Sequence, residues 1–139
     1  MRARASMRVR QAAGGWVTLT VEGRMELHDH LPTLLNLQEA VGGYVEALSF
    51  PLAGSEATMW LNEEGKLVDE PRRNWKAHVV CPPSGGTWTA GDVVFTGGVG
   101  PDGETLALNE AQVAELQRID RDVRVLLVDE RSSGFLVIG

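Results

Sequence analysis

The chain has 139 residues, 43% of them hydrophobic and 23% charged, with a formal net charge of −6. That length suits one domain able to bury about two-thirds of its unfolded surface. The acidic balance argues against general binding to nucleic acid or a membrane surface, because both need a basic face. The single cysteine, Cys81, allows no internal disulfide and points to a reducing, cytoplasmic home. No apolar run reaches the 18 residues that a membrane-spanning helix needs.

Residues 1–6 are basic but lack the apolar stretch of a secretion signal, so they read as a disordered lead-in, with Met7 an alternative start. A single domain over 7–139 is expected to follow. Met7 to Gln11 alternates, Ala13-Gly14-Gly15 signals a turn, and Trp16 to Glu22 is β-branched with period two. The segment reads as a hairpin with Val17, Leu19 and Val21 on the core face. Thr33 then caps a short helix entered through Pro32, with Leu34, Leu35, Leu37 and Val41 as its apolar stripe. Gly42-Gly43 stops it, since glycine accepts the left-handed conformation of a C-cap.

Tyr44 to Phe50 leaves as a strand, Pro51 to Glu56 is a loop, and Ala57 to Leu61 is the next strand. Asn62-Glu-Glu-Gly65 is a tight hairpin turn, Gly65 taking a positive φ, and Lys66 to Val68 the return strand. Glu63 and Glu64 point to solvent. Asp69 to Ala77 is polar and irregular, and Cys81 to Gly86 is a loop. Asp92 to Thr96 is a strand and Gly97 to Gly103 a turn. Asn109 caps the longest helix, with Gln112 at capping-box spacing and Val113, Leu116 and Ile119 on one face. Val123 to Val128 and Phe135 to Ile138 form a terminal hairpin around Asp129 to Gly134. The sum is an α+β domain: a mostly antiparallel sheet of about seven short strands with two helices packed on it.

Chemistry-bearing residues are few. His28-Asp29-His30 and His78-x-x-Cys81 are the metal-like pairs, and together they could close a tetrahedral site. The plainer reading is loop histidines and a buried thiol, and no metal or other cofactor is expected. Ser84, Ser132 and Ser133 lack the strand–turn–helix elbow of a nucleophile. Cys81 precedes two prolines rather than a helix N-terminus, and the Gly97–Gly103 run lacks the lysine of a phosphate loop. The segment Pro71-Arg-Arg-Asn-Trp-Lys76 stands out, with three cations, an amide and an indole in an acidic chain. Arginine forks and an aromatic face suit a phosphate or a nucleobase. The competing reading is a surface loop anchored by Trp75, its arginines paired with nearby carboxylates.

Leu37-Gln-Glu-Ala-Val-Gly-Gly-Tyr-Val-Glu46, Asn62-Glu-Glu-Gly-Lys-Leu67, Asn74 with Ala77, Gly91-Asp-Val-Val and Leu108-Asn-Glu-Ala-Gln-Val113 occur in this order. Over about residues 30–116 this series resembles the domain of unknown function 3846 family of bacteriophages, plasmids and some bacteria. The chain departs from that pattern at Asp69 to Arg73, where relatives have smaller, more apolar residues, and extends beyond it with the terminal hairpin. The histidines and Cys81 are not family features. The resemblance implies an accessory protein of a phage or mobile element, with no assigned chemistry to carry over.

Two functions from different classes follow. The first is a non-enzymatic protein-interaction module for a host or phage protein, because Trp16, Trp60, Trp75 and Trp88 exceed what so small a core needs. The alternative is a small anionic-ligand (nucleotide) binding module using Arg72, Arg73, Asn74 and Trp75. Neither requires a catalytic residue, a membrane or nucleic acid.

Overall fold

The computed structural model describes residues 15–68, 70–83, 87–127 and 134–138, with the backbone alone for 126–127 and 134–138. The lead-in, the Met7–Gln11 strand, Ser84 and most of the Asp129–Gly134 turn lie outside the described residues. The elements run β1 (Trp16–Leu19), β2 (Met25–His28), α1 (Leu34–Val41), β3 (Val45–Leu52), β4 (Ser55–Asn62), α2 (Trp75–Val80), β5 (Val93–Gly97), α3 (Glu110–Asp122), β6 (Val123–Leu127) and β7 (Gly134–Ile138).

Five strands form one sheet in the order β2-β1-β5-β4-β3, and β6 and β7 form a separate ribbon. Every pair is antiparallel. The α+β class and antiparallel sheet agree with the sequence. The single sheet does not, and there are three helices among the described residues rather than two. These helices cover both faces. On one face Val17, Leu19, Met59, Val93 and Phe95 pack against Ala77 and Val80 of α2 and Val113, Leu116 and Ile119 of α3. On the other, Trp16 and Val94 pack against Leu37 and Val41 of α1, with Trp60 alongside. Alternation along each strand supplies both faces from the same short segments.

Local chemistry explains the helix ends. Thr33 accepts from the Asn36 backbone N–H while the Asn36 side chain accepts from Thr33 N, and Asn109 and Gln112 form the same reciprocal box. Gly42 sits at φ 82°, ψ 25° and its N–H closes α1 onto Gln38 O at 2.8 Å. Of the expected α1 stripe only Leu37 and Val41 are buried, while Leu34 and Leu35 are exposed, because so short a helix lays one narrow line on the sheet.

Five expectations change. The partner of β1 is β2, reached through the Thr20–Gly23 turn, in which Gly23 N donates to Thr20 O. Pro51 to Glu56 is not a loop: β3 and β4 run on to Leu52 and from Ser55, joined by Ala53 and Gly54 at φ 52° and 86°. Two left-handed residues match the natural twist of a hairpin, and Pro51 is tolerated because β3 is an edge strand. Lys66 to Val68 is no strand, since β4 already has β5 on one side and β3 on the other. The turn at Asn62 does form, with Glu64 N donating to Asn62 Oδ1 and Gly65 N to Asn62 O. Gly65 is not left-handed there, and Glu63 and Glu64 are exposed. Finally, the polar 69–77 stretch ends in α2, capped by Asn74, whose side chain accepts from Ala77 N. Among the described residues no helix is long and apolar enough to cross a membrane.

Candidate functional site

The Arg72–Asn74 segment is extended, and extended backbone sends successive side chains to opposite sides. An isolated antiparallel bridge joins Arg73 to Ala90, framed by Asn74 N donating to Thr89 O and Gly91 N to Arg72 O. Arg72 and Asn74 therefore turn toward β1 and its turn, and Arg73 turns away. The Arg72 guanidinium donates to Glu22 at 3.1 Å. Asn74 is fully buried, its amide donating to Leu19 O and Gly91 O while Oδ1 caps α2. The four candidate residues thus divide: Asn74 is scaffold, Arg72 answers a carboxylate, and Arg73 and Trp75 remain together.

Arg73 lies against two indoles. Its Cζ is 4.8 Å from the Trp75 ring centroid and 4.9 Å from that of Trp88, and Lys66 Nζ is 4.9 Å from the same Trp88 ring. Cations over aromatic faces are attracted by the ring quadrupole. Neither Arg73 nor Lys66 is in an ion pair among the described residues, and the buried Arg73 Nε has no hydrogen-bond partner there. His78, edge-on to Trp75, accepts from Thr89 N at 3.0 Å through Nε2. Burial, then the charges of Arg73 and Lys66, hold its imidazole below the ordinary range.

Beside this cluster is a cavity of about 460 Å³, lined by Leu48, Met59, Leu61, Cys81, Pro82 and Pro83, with Lys66, Trp88, Thr87 and Thr89 contributing polar and aromatic surface. Glu46 and Glu63 also border it. Its size falls within the range of small-molecule pockets. The Cys81 thiol is buried and pushed up by that burial, so it adds apolar lining rather than a nucleophile. Lys66 was not singled out in the sequence, and Trp88 only as one of four tryptophans offered as interface anchors. The two are separated from Arg73 by 7 and 15 positions, and the Arg73–Ala90 bridge with its flanking hydrogen bonds sets the Trp88 segment beside Arg73.

The metal candidates do not converge. His28 stacks on Trp16 at 4.0 Å, with His30 edge-on to both, on the sheet face that α1 covers. His78 and Cys81 belong to α2 and its C-cap, on the opposite face. The sheet lies between the two pairs, and among the described residues no group of three His, Cys, Asp or Glu side chains could hold a metal ion. The lysine of the basic segment is also elsewhere: Lys76 is buried, its Nζ bound to Gly23 O at 3.0 Å and Asp120 Oδ1 at 2.8 Å.

Comparison with known proteins agrees with this architecture in extent. The family model described as Domain of unknown function (DUF3846) matches residues 17–120, most of the chain, and the chain belongs to that family. The match covers the five-stranded sheet with its three helices almost entirely and stops before β6 and β7. No curated protein and no solved structure matches the chain.

Proposed function

We propose that this member of the DUF3846 family is a non-catalytic binding module that captures a small anionic ligand of nucleotide size beside β4 and the Cys81–Ala90 connection. One observation carries the reading: Lys66 and Arg73, without acidic partners among the described residues, both lie over the Trp88 ring, and Lys66 and Trp88 line a mostly apolar cavity. Lys66 and Arg73 would hold the anionic group, since a charge-assisted hydrogen bond is about twice as strong as a neutral one. The apolar body of the ligand would lie against Leu48, Leu61 and Pro82. Arg72 and Asn74 leave the binding set for the structural reasons given above.

The interaction-module reading loses its argument from surplus tryptophans. Trp16 is buried on α1 and Trp60 is half-buried, donating Nε1 to Thr96 Oγ1 at 2.9 Å. Trp75 and Trp88 are held under cations. A cytoplasmic accessory role in a phage or mobile element remains the setting in which we place the module.

Titration of the full chain with a panel of nucleoside mono-, di- and triphosphates, followed by tryptophan fluorescence, tests the proposal. A saturable change is expected, weakened roughly tenfold by Lys66→Ala, the loss of one charge-assisted contact, and weakened further by added salt. Lys66 is exposed, so the variant should fold. A flat response at millimolar ligand, or a response that Lys66→Ala leaves unchanged, overturns it.

A further inference from the structure

The two edges of the five-stranded sheet are built differently. β2 has four residues and carries Glu26 and His28, features that discourage pairing with another chain. β3 has eight, and Glu46 is its one charged residue. Glu46, Ala47, Leu48 and Ser49 are all exposed. Exposed apolar side chains collect beside this edge, which no other described strand covers. Leu48 (47% exposed) and Leu67 (79%) line one cavity, and Tyr44 (70%) and Val68 (52%) line the next. An unguarded strand next to such a patch is a site of association.

We infer that a second copy of this chain covers the edge, β3 pairing antiparallel with β3 of its twin about a two-fold axis at Leu48. The composition of the strand favours this occupant. Directly opposed residues in an antiparallel pair share a face, so the two-fold sets Leu48 against Leu48, Ala47 against Ser49 and Glu46 against Phe50. The charged residue thus meets an aromatic ring rather than its own copy. Pro51, which has no N–H to donate, falls just outside the paired stretch. Two molecules of charge −6 repel each other, and this low-charge strand is where they can approach. The dimer closes under two-fold symmetry, the commonest arrangement of identical chains, and joins two sheets into one of ten strands. It rests on the strand edge; because Leu48 also borders the cavity proposed for the ligand, association is measured without added ligand.

Sedimentation equilibrium of the full chain tests it. The expected species has twice the 15.1 kDa of one chain. Leu48→Lys, which sets two ammonium groups across the axis, should weaken association roughly tenfold or more while far-UV circular dichroism stays unchanged. Leu34→Lys, on the exposed face of α1, should leave the dimer intact. If Leu48→Lys fails to fold, Ser49→Lys carries the same expectation at another exposed position of the strand. A parent chain that is monomeric at its highest soluble concentration overturns the inference, as does association that survives the β3 substitutions or falls equally with Leu34→Lys.

Discussion

His78 reports on its surroundings through one nitrogen. Nε2 accepts from Thr89 N, which requires the neutral ring, and burial followed by the Arg73 and Lys66 charges favours that same form. The folded-state pKa is therefore below the unfolded one, and between the two values the unfolded chain binds more protons. The contribution of His78 to stability is complete above about pH 6.5 and is lost as pH falls through the folded-state value. Urea melts should show the parent losing stability on acidification below about pH 6.5, and His78→Gln should flatten that slope. An equal slope in both proteins would place the titration elsewhere. Asp92 works with the opposite sign. Burial raises its carboxyl, partly offset by the hydrogen bond from Val21 N, so comparison with the variant is needed to isolate the histidine. At this scale the basic segment stood out by composition, but the surroundings of its members were not legible. Alternation sends Arg72 to Glu22 and Arg73 to Trp88, and a linear chain does not show which neighbours await each side.

Turns and caps are where the elements were most readable, because their chemistry is local. Gly42 combines a left-handed φ of 82° with open space around an added Cβ, so Gly42→Ala should cost only the conformational strain, about 1 kcal/mol. Gly97→Ala is the informative contrast, since its Cβ would sit 2.2 Å from Ala107 O, against a backbone atom that cannot swing aside. It should cost clearly more than Gly42→Ala in the same urea melts, and equal costs would mean that the Gly97–Leu106 approach is looser than it stands. Ala53 departs from the local rules: a non-glycine at φ 52° opens the β3–β4 turn. That is why Pro51 to Glu56 reads as a loop while the strands in fact continue through it. The missing return strand after Gly65 has a different cause. Its residues suit a strand, but both sides of β4 are taken.

Across the whole molecule, Lys76 joins three pieces that the chain order keeps apart. From α2 it reaches the carbonyl of Gly23 in the β1–β2 turn, and both the carboxylate and the backbone carbonyl of Asp120 near the end of α3. Its side chain is almost wholly buried while that of Asp120 is nearly half exposed, so water offsets part of the pair. Lys76→Met keeps the packing but leaves two carbonyls without this donor, and should cost about 2 kcal/mol in urea melts. Asp120→Asn should cost less, because both carbonyl contacts persist. The reverse order would make the ion pair, rather than the carbonyl contacts, the source of stability.

Read alone, the sequence gives the α+β class, every strand of the central sheet except β2, the capped ends of α1 and α3, and the family. The elements depend on residues within a few positions of one another, where period, capping and turn geometry act directly, and the family on a series of such short motifs in order. The tertiary structure decided which strands are neighbours, that α2 exists, and that Lys66 and Trp88 stand with Arg73 while Lys76 does not. Those outcomes follow from sheet order, and sheet order is set by how two apolar faces are buried at once, which no single segment encodes.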